Sequence, residues 1–552
     1  MRRWVIGLIA FIASTLIALW LWRILQPSEV IEVRAKILPI GFVPLPYVRD
    51  LDGDGNDELL VRVSTQPWLG RSSERVFVVT MRNRRLIAHP TPFAFAEVSS
   101  TGGRRVIGII ESGKQREVAV GEWLPDGRWE VEKLGAKVNA HSTVTIGDWD
   151  GDNEDNTVLV LSETKAKVLV FQKRPKGQWG RVKEIKVSRN AWWVSGEEWG
   201  AKVYESVGIV FPLFFWRGQW HLGQPNERVA FFKADWDGDG QLDKLLVRVS
   251  PNGKNLTTHL TLETNNPKKP KEYLSHQWHF TDWEVCYYFA TPSVAATDEL
   301  GDGRWHLLVL LMKSKPLTFR LMDFRFSPNR NWQMTELARW QVKGINPPVD
   351  ILVGDSNGDG RAEIFVVETG IRIKGGRPPK QRCFWRLLKM ASGWHPQPLR
   401  FPSQVCGFWR TKAGKRIWFW QWRNKPGFLR DATVWELGTF QSDGQWKTEW
   451  QEQSSYWFAD DLNHDEFPEV LVFQGEIFPR PIIWWRTKGA WRKQELVGSS
   501  LLRLINGWLY SPEGFVEPEE IIVVRWEGKK WFVVLWSDGV VQAVTLKQPK
   551  GR

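Results

Sequence analysis

Asp50, Asp52, Asp54 and Glu58 stand at positions 1, 3, 5 and 9 of one short loop, "DLDGDGNDE", which runs straight into the apolar stretch "LLVRV". Alternate side chains of a tight loop can converge on one point. Hard carboxylate oxygens at that spacing suit calcium, which takes six to eight oxygens at about 2.3–2.6 Å. A main-chain carbonyl at position 7 and water would complete the shell, and Gly55 at position 6 permits the sharp turn. An EF-hand is excluded, because that loop closes with a glutamate at position 12 between two helices. Position 12 here is Val61, already in strand-like sequence, so the ninth residue has to close the site.

The loop recurs. Asp235, Asp237, Asp239 and Asp243 form a second full set, and Asp355, Asn357, Asp359 and Glu363 a third. Asp461, Asn463, Asp465 and Glu469 keep the ligands, but Glu466 replaces the turn glycine. Asp148, Asp150 and Asp152 keep three carboxylates, with Asn153 at the turn and Asn156 at position 9. In the copy at 298, Leu300 and His306 stand where ligands belong, so it is expected to bind no metal. An isolated Asp-Gly loop is as often a plain turn. Repeated sets with a ninth-position acid favour calcium, because unpaired carboxylates so close would repel and a cation removes that cost.

No catalytic constellation accompanies these loops. The chain has no G-x-S-x-G elbow, no H-E-x-x-H and no phosphate loop. His276 and His279, in "SHQWHF", lack the partners of a zinc site.

The elements that position the loops are strands. Each acidic loop feeds a β-prone apolar run. A second signal alternates with it, a turn followed by tryptophan: "DGRW" at 126, "KGQW" at 176, "RGQW" at 217, "NRNW" at 329, "SGW" at 392, "DGQW" at 443 and "KGAW" at 488. Such turns join hairpins, and the tryptophan begins the next strand. Degenerate units fill the gaps near 101, 204, 414 and 517, which makes up to ten units of about fifty residues. Short strands at that period predict propeller blades, with no amphipathic helix beyond the N-terminal segment. Most of the 36 tryptophans are then expected between blades.

The loops resemble the FG-GAP/VCBS repeats of the integrin α-subunit N-terminal propeller and of many bacterial exported proteins. The repeat motif D-x-[DN]-x-[DN]-G-x-x-[DE] matches at 50, 235 and 355, and nearly at 461. The resemblance implies an all-β propeller over residues 30–552, of about seven or eight blades, with structural calcium in the blade loops. Integrin-like cell adhesion is the corresponding function.

Residues 4–22 carry no charge, and at about 1.5 Å per residue they span a bilayer core. Arg2 and Arg3 precede them. Residues 1–26 are therefore expected to be an uncleaved transmembrane helix, with the N-terminus inside and the rest extracytoplasmic, at the cell surface or in the periplasm. A cleaved signal peptide is the alternative; the apolar run is long for one, and no small-x-small site follows. The net charge of +13 favours an acidic partner, and export argues against nucleic acid. Three cysteines make no disulfide framework; a bridge between Cys383 and Cys406 and free buried thiols are equal alternatives.

These readings converge on a membrane-tethered, calcium-binding module for a glycan or protein partner, and not an enzyme. Some calcium-loop propellers are polysaccharide lyases. A lyase acting on anionic glycans is thus the alternative, and it would need clustered cations and carboxylates at the ring axis.

Overall fold

The computed structural model describes residues 30–547, apart from 40–45, 66–72, 139–142, 150–153, 163–166, 174–177, 266–271, 286–292, 342–348, 357–360, 369–383, 400–403, 411–416, 426–431, 475–479, 497–517 and gaps of one to three residues. The expected membrane segment 1–26, Cys286 and Cys383 therefore lie outside the described residues. Among the described residues, no helix is long and apolar enough to cross a membrane.

The described chain is built from antiparallel sheets in sequence order, nine of four strands and one of five. Each sheet is a blade. Blades 1 to 5 cover residues 47–90, 95–137, 143–186, 193–222 and 228–281. Blades 6 to 9 cover 284–341, 349–398, 404–453 and 456–495. Blade 10 takes three strands from 518–546 and its fourth from the other end of the described chain. There Val30–Lys36 pairs antiparallel with Val540–Leu546, Val30 opposite Leu546 and Lys36 opposite Val540. This strand lends the first residues to the last blade and leaves no open end to the ring.

The ring has ten blades, where the repeat resemblance implies seven or eight. The degenerate units at 101, 204, 414 and 517 each form a full blade: blades 2, 4, 8 and 10. The reason is physical. A blade is specified by strands that bury apolar residues against both neighbours, and that burial does not require a complete ligand set. Residues 540–546, for example, are all buried.

Ten apolar clusters seal the ten seams, including the one between blades 10 and 1. At that closing seam Val524, Trp526 and Trp531 pack with Leu59, Val61 and Val79. The two alternating sequence signals meet in space at these seams. Each turn tryptophan stands first or second in the outermost strand of its blade and packs against the preceding blade. Trp220 meets Trp149, the second residue of the acidic loop one blade earlier, with ring centroids 5.5 Å apart. Trp332 meets Trp236 in the same way at 6.0 Å. Leu51 shares a cluster with Trp129, and Leu462 shares one with Val30, the first residue of the ring-closing strand. The acidic loops thus hold the residues that plug the next seam.

Candidate metal centres

Each loop with a ninth-position acid joins the first and second strands of its blade. Strand register fixes where the ninth residue points. It pairs with the residue just before position 1: Glu58 with Arg49, Asp243 with Ala234, Glu363 with Gly354, and Glu469 with Asp460. The ninth carboxylate is therefore turned inward, with relative exposures of only 1–4%. In all four loops it accepts a hydrogen bond from the N–H of position 2: Leu51 at 2.7 Å, Trp236 at 3.1 Å, Ser356 at 3.2 Å and Leu462 at 2.7 Å. In three of the four, with Leu51, Trp236 and Leu462, one buried acid thus anchors a residue that fills the seam.

The remaining carboxylates fold the loop. Asp50 accepts from the N–H groups of Gly53 (2.6 Å) and Gly55 (3.2 Å), and Asp235 from Gly238 (2.8 Å) and Gly240 (2.9 Å). Gly238 and Gly240 adopt φ of 77° and 83°, which a side chain would strain. Asp52 and Asp237 accept from position 5, and Asp54 and Asp239 from position 7. These turns bring oxygens of Asp50, Asp52 and Glu58 within 4.8 Å of one another, and likewise those of Asp235, Asp237 and Asp239. That separation is about twice a calcium–oxygen distance, so the donor sets fit the ion. Asp54 and Asp243 stand outside the two clusters; Asp243 also accepts from the Asn265 N–H at 3.0 Å.

The electrostatics are those of crowded acids. Burial, then the charges of Asp52 and Asp54, push the Glu58 carboxyl up to about 8. Burial, then Asp237, push Asp243 up to about 6. A divalent cation would remove the disadvantage of ionising such groups.

The other loops solve the same problem with groups of their own. In blade 7, Nη1 of the fully buried Arg386 donates to Glu363 Oε1 at 3.0 Å, while Ser356 donates to Oε2. Asn357 and Asp359 lie outside the described residues. In blade 9, the Asn463 amide nitrogen bridges Glu469 (2.9 Å) and Asp465 (3.2 Å). Burial, with Asp465 and Asp461 adding to it, pushes Glu469 up to about 9. In blade 3, Asp150 and Asp152 lie outside the described residues, and the loop is one residue longer: Thr157, not Asn156, pairs with Gly147. Asp148 donates its N–H to Thr101 Oγ1 at 2.6 Å. Asp155 turns to blade 2, accepting from Ser99 Oγ at 2.5 Å and the Arg105 N–H at 3.2 Å.

In blade 6, His306 takes the ninth position. Its Nδ1 lies 3.0 Å from Asp323 Oδ1 and its Nε2 2.9 Å from Asp302 Oδ1. Burial disfavours charge on the imidazole, but the hydrogen bonds to Asp323 and Asp302 outweigh it, and the pKa rises. When protonated, the ring is the cation of this loop. Stability from it is complete below the free imidazole value of about 6.5 and is lost as pH rises through the higher folded value. His306→Gln is expected to abolish that component. Urea denaturation of wild type and variant between pH 5.5 and 9 checks it, and a difference between them that stays constant with pH would rule it out.

Arg386, Asp323, Asp155 and Asp57 escape the motif, since none occupies a ligand position. For Arg386 a sign is legible: a lone arginine inside the apolar run "CFWRLL". Asp57 joins the first loop to blade 10. It accepts from the Arg525 N–H at 2.6 Å, and Asn56 Oδ1 accepts from the Glu527 N–H at 2.6 Å.

Fold and loops together define a ten-bladed β-propeller with acid-lined blade loops. No protein-family model matches the chain, and no curated protein matches it. Among solved structures it is similar to a periplasmic gluconolactonase of Pseudomonas aeruginosa, at 16% identity over 54% of this chain and 85% of that one, with a TM-score of 0.23. It is also similar to the WD40 domain of SCAP from fission yeast, at 9% identity over 76% of this chain and 98% of that one, with a TM-score of 0.28. Superpositions this loose carry nothing about site or activity.

Proposed function

We propose that the chain is an exported propeller of the FG-GAP/VCBS kind, stabilised by calcium, that serves as a binding module for a glycan or protein partner. In this reading the N-terminal apolar segment tethers it to a membrane and the ring lies outside the cytoplasm. The observation that carries the calcium reading is the shared geometry of the loops. A buried ninth acid hydrogen-bonds the residue that plugs the next seam, and beside it the oxygens of a cation-sized cluster converge. Calcium there would rigidify the seam and do no chemistry.

The tight sites are the loops at 50 and 235. The loops at 355 and 461 are weaker sites, because calcium has to compete with Arg386 or turn over the Asn463 amide. The loop at 148 has no ninth acid, and the one at 298 has His306 in that place. Titration of metal-free protein with calcium by calorimetry is expected to show two sites that fill before the others. Asp237→Ala should leave one. Heat indistinguishable from dilution would sink the reading.

A further inference from the structure

We infer that the cleft between blades 4 and 5 binds an acidic oligosaccharide, one whose sugars carry carboxylates or sulfates. The inference rests on reading the chain as a binding module and gives that module a site. The cleft measures about 620 Å³. It exists because the two blades differ in reach. The outermost strand of blade 4, Gln219–Leu222, has four residues, whereas the outer strands of blade 5, Asn255–Glu263 and Tyr273–Thr281, have nine each. The outer half of blade 5 therefore extends past its neighbour.

Its two faces differ. One is apolar and sealed against blade 6 by Leu245, Val247, Leu262 and Phe280. The face toward blade 4 is polar: Arg248, His259 and Gln277 stand in one cross-strand row, and Thr261 and Ser275 in the next. The apolar seam here shrinks to Phe214, Trp216, Val229 and Leu246, with Phe231 beside them.

No carboxylate lines the cleft among the described residues. The nearby acid, Glu227, has a buried side chain and lies 2.7 Å from Arg248. Arg217 stands on the rim, its guanidinium 4.2 Å from the Tyr273 ring centroid. Guanidinium groups pair two-pronged with carboxylate and sulfate oxygens. Around them are side chains that both donate and accept, which is what sugar hydroxyls require. Burial and then Arg248 lower the His259 pKa, which favours the neutral ring with one donor and one acceptor. The imidazoles do not gather on a metal: among the described residues, only the two acidic loops form such a cluster.

The test uses the whole chain with three probes of equal length: oligogalacturonate for carboxylates, dextran sulfate for sulfates, and neutral dextran. Saturable binding of either acidic probe, at least tenfold tighter than of neutral dextran, is expected. The double variant Arg217→Asn/His259→Gln should weaken it at least tenfold with an unchanged melting temperature; asparagine tolerates the φ of 51° at position 217. Equal binding of neutral dextran, no binding of either acidic probe, or unchanged affinity in the double variant overturns the inference. Melting curves with and without calcium, run beside it, separate its failure from that of the calcium reading.

Discussion

Arg386→Met is expected to destabilise the protein by about 3–5 kcal/mol, the cost of stripping one partner from a buried ion pair. Arg386 is fully buried, and both terminal nitrogens of its guanidinium donate hydrogen bonds. Nη1 binds Glu363 Oε1 at 3.0 Å and the Gln441 carbonyl of blade 8 at 2.8 Å, and Nη2 binds Gln397 Oε1 at 2.9 Å. Methionine fills much of the space but leaves the buried Glu363 carboxyl without its cation. The double variant Arg386→Met/Glu363→Gln should therefore lose less than Arg386→Met alone. Removing the arginine also frees the ninth ligand of the loop at 355, so calcium should recover part of the loss. Urea denaturation of the three proteins decides it. A loss below about 1 kcal/mol in the single variant would show that the pair contributes little.

Calcium is expected to stabilise the wild-type ring by about 2.7 kcal/mol per site at a hundredfold excess over Kd. Extracellular sites commonly bind with Kd on the order of 10⁻⁴–10⁻³ M, so millimolar calcium is the range to test. The gain should come from the loops at 50 and 235. The first of these also braces the closing seam through Asp57 and Asn56, so its ion should resist opening of the ring between blades 10 and 1. Asp237→Ala should remove one site's share and leave the other. Asp302→Asn, in the loop served by His306, should leave the calcium response unchanged. Melting curves in EDTA and in calcium that superimpose would reduce both loops to plain turns.

The repeat was legible in the sequence because each blade is a local pattern. An acidic or degenerate turn, an apolar strand, a second hairpin and a tryptophan all lie within about fifty residues. Counting those units arrives at ten, the number of blades; the resemblance pointed to fewer because it weighs loop ligands, and blades form without them. That acids of one loop converge was legible for a similar reason, although Asp54 and Asp243 stand outside the two clusters. Alternation within one loop sets which side chains converge, and the ninth residue opens a strand whose register turns it inward.

What the tertiary structure alone decided is everything that joins distant residues. That the first strand-like segment after residue 30 completes the last blade follows from ring closure, but the register of Val30–Lys36 on Val540–Leu546 is set by nothing local in either strand. The charge state of each loop was hidden too. Glu363 and Glu58 occupy the same position, yet one meets Arg386 from a strand twenty-three residues away and the other meets, among the described residues, acids and backbone N–H groups. The cleft between blades 4 and 5 arises from a difference in strand length between two sheets, visible only when they stand side by side. Periodicity is a property of neighbours in the chain. Charge compensation and seam shape are properties of neighbours in space, and folding alone determines which residues those are.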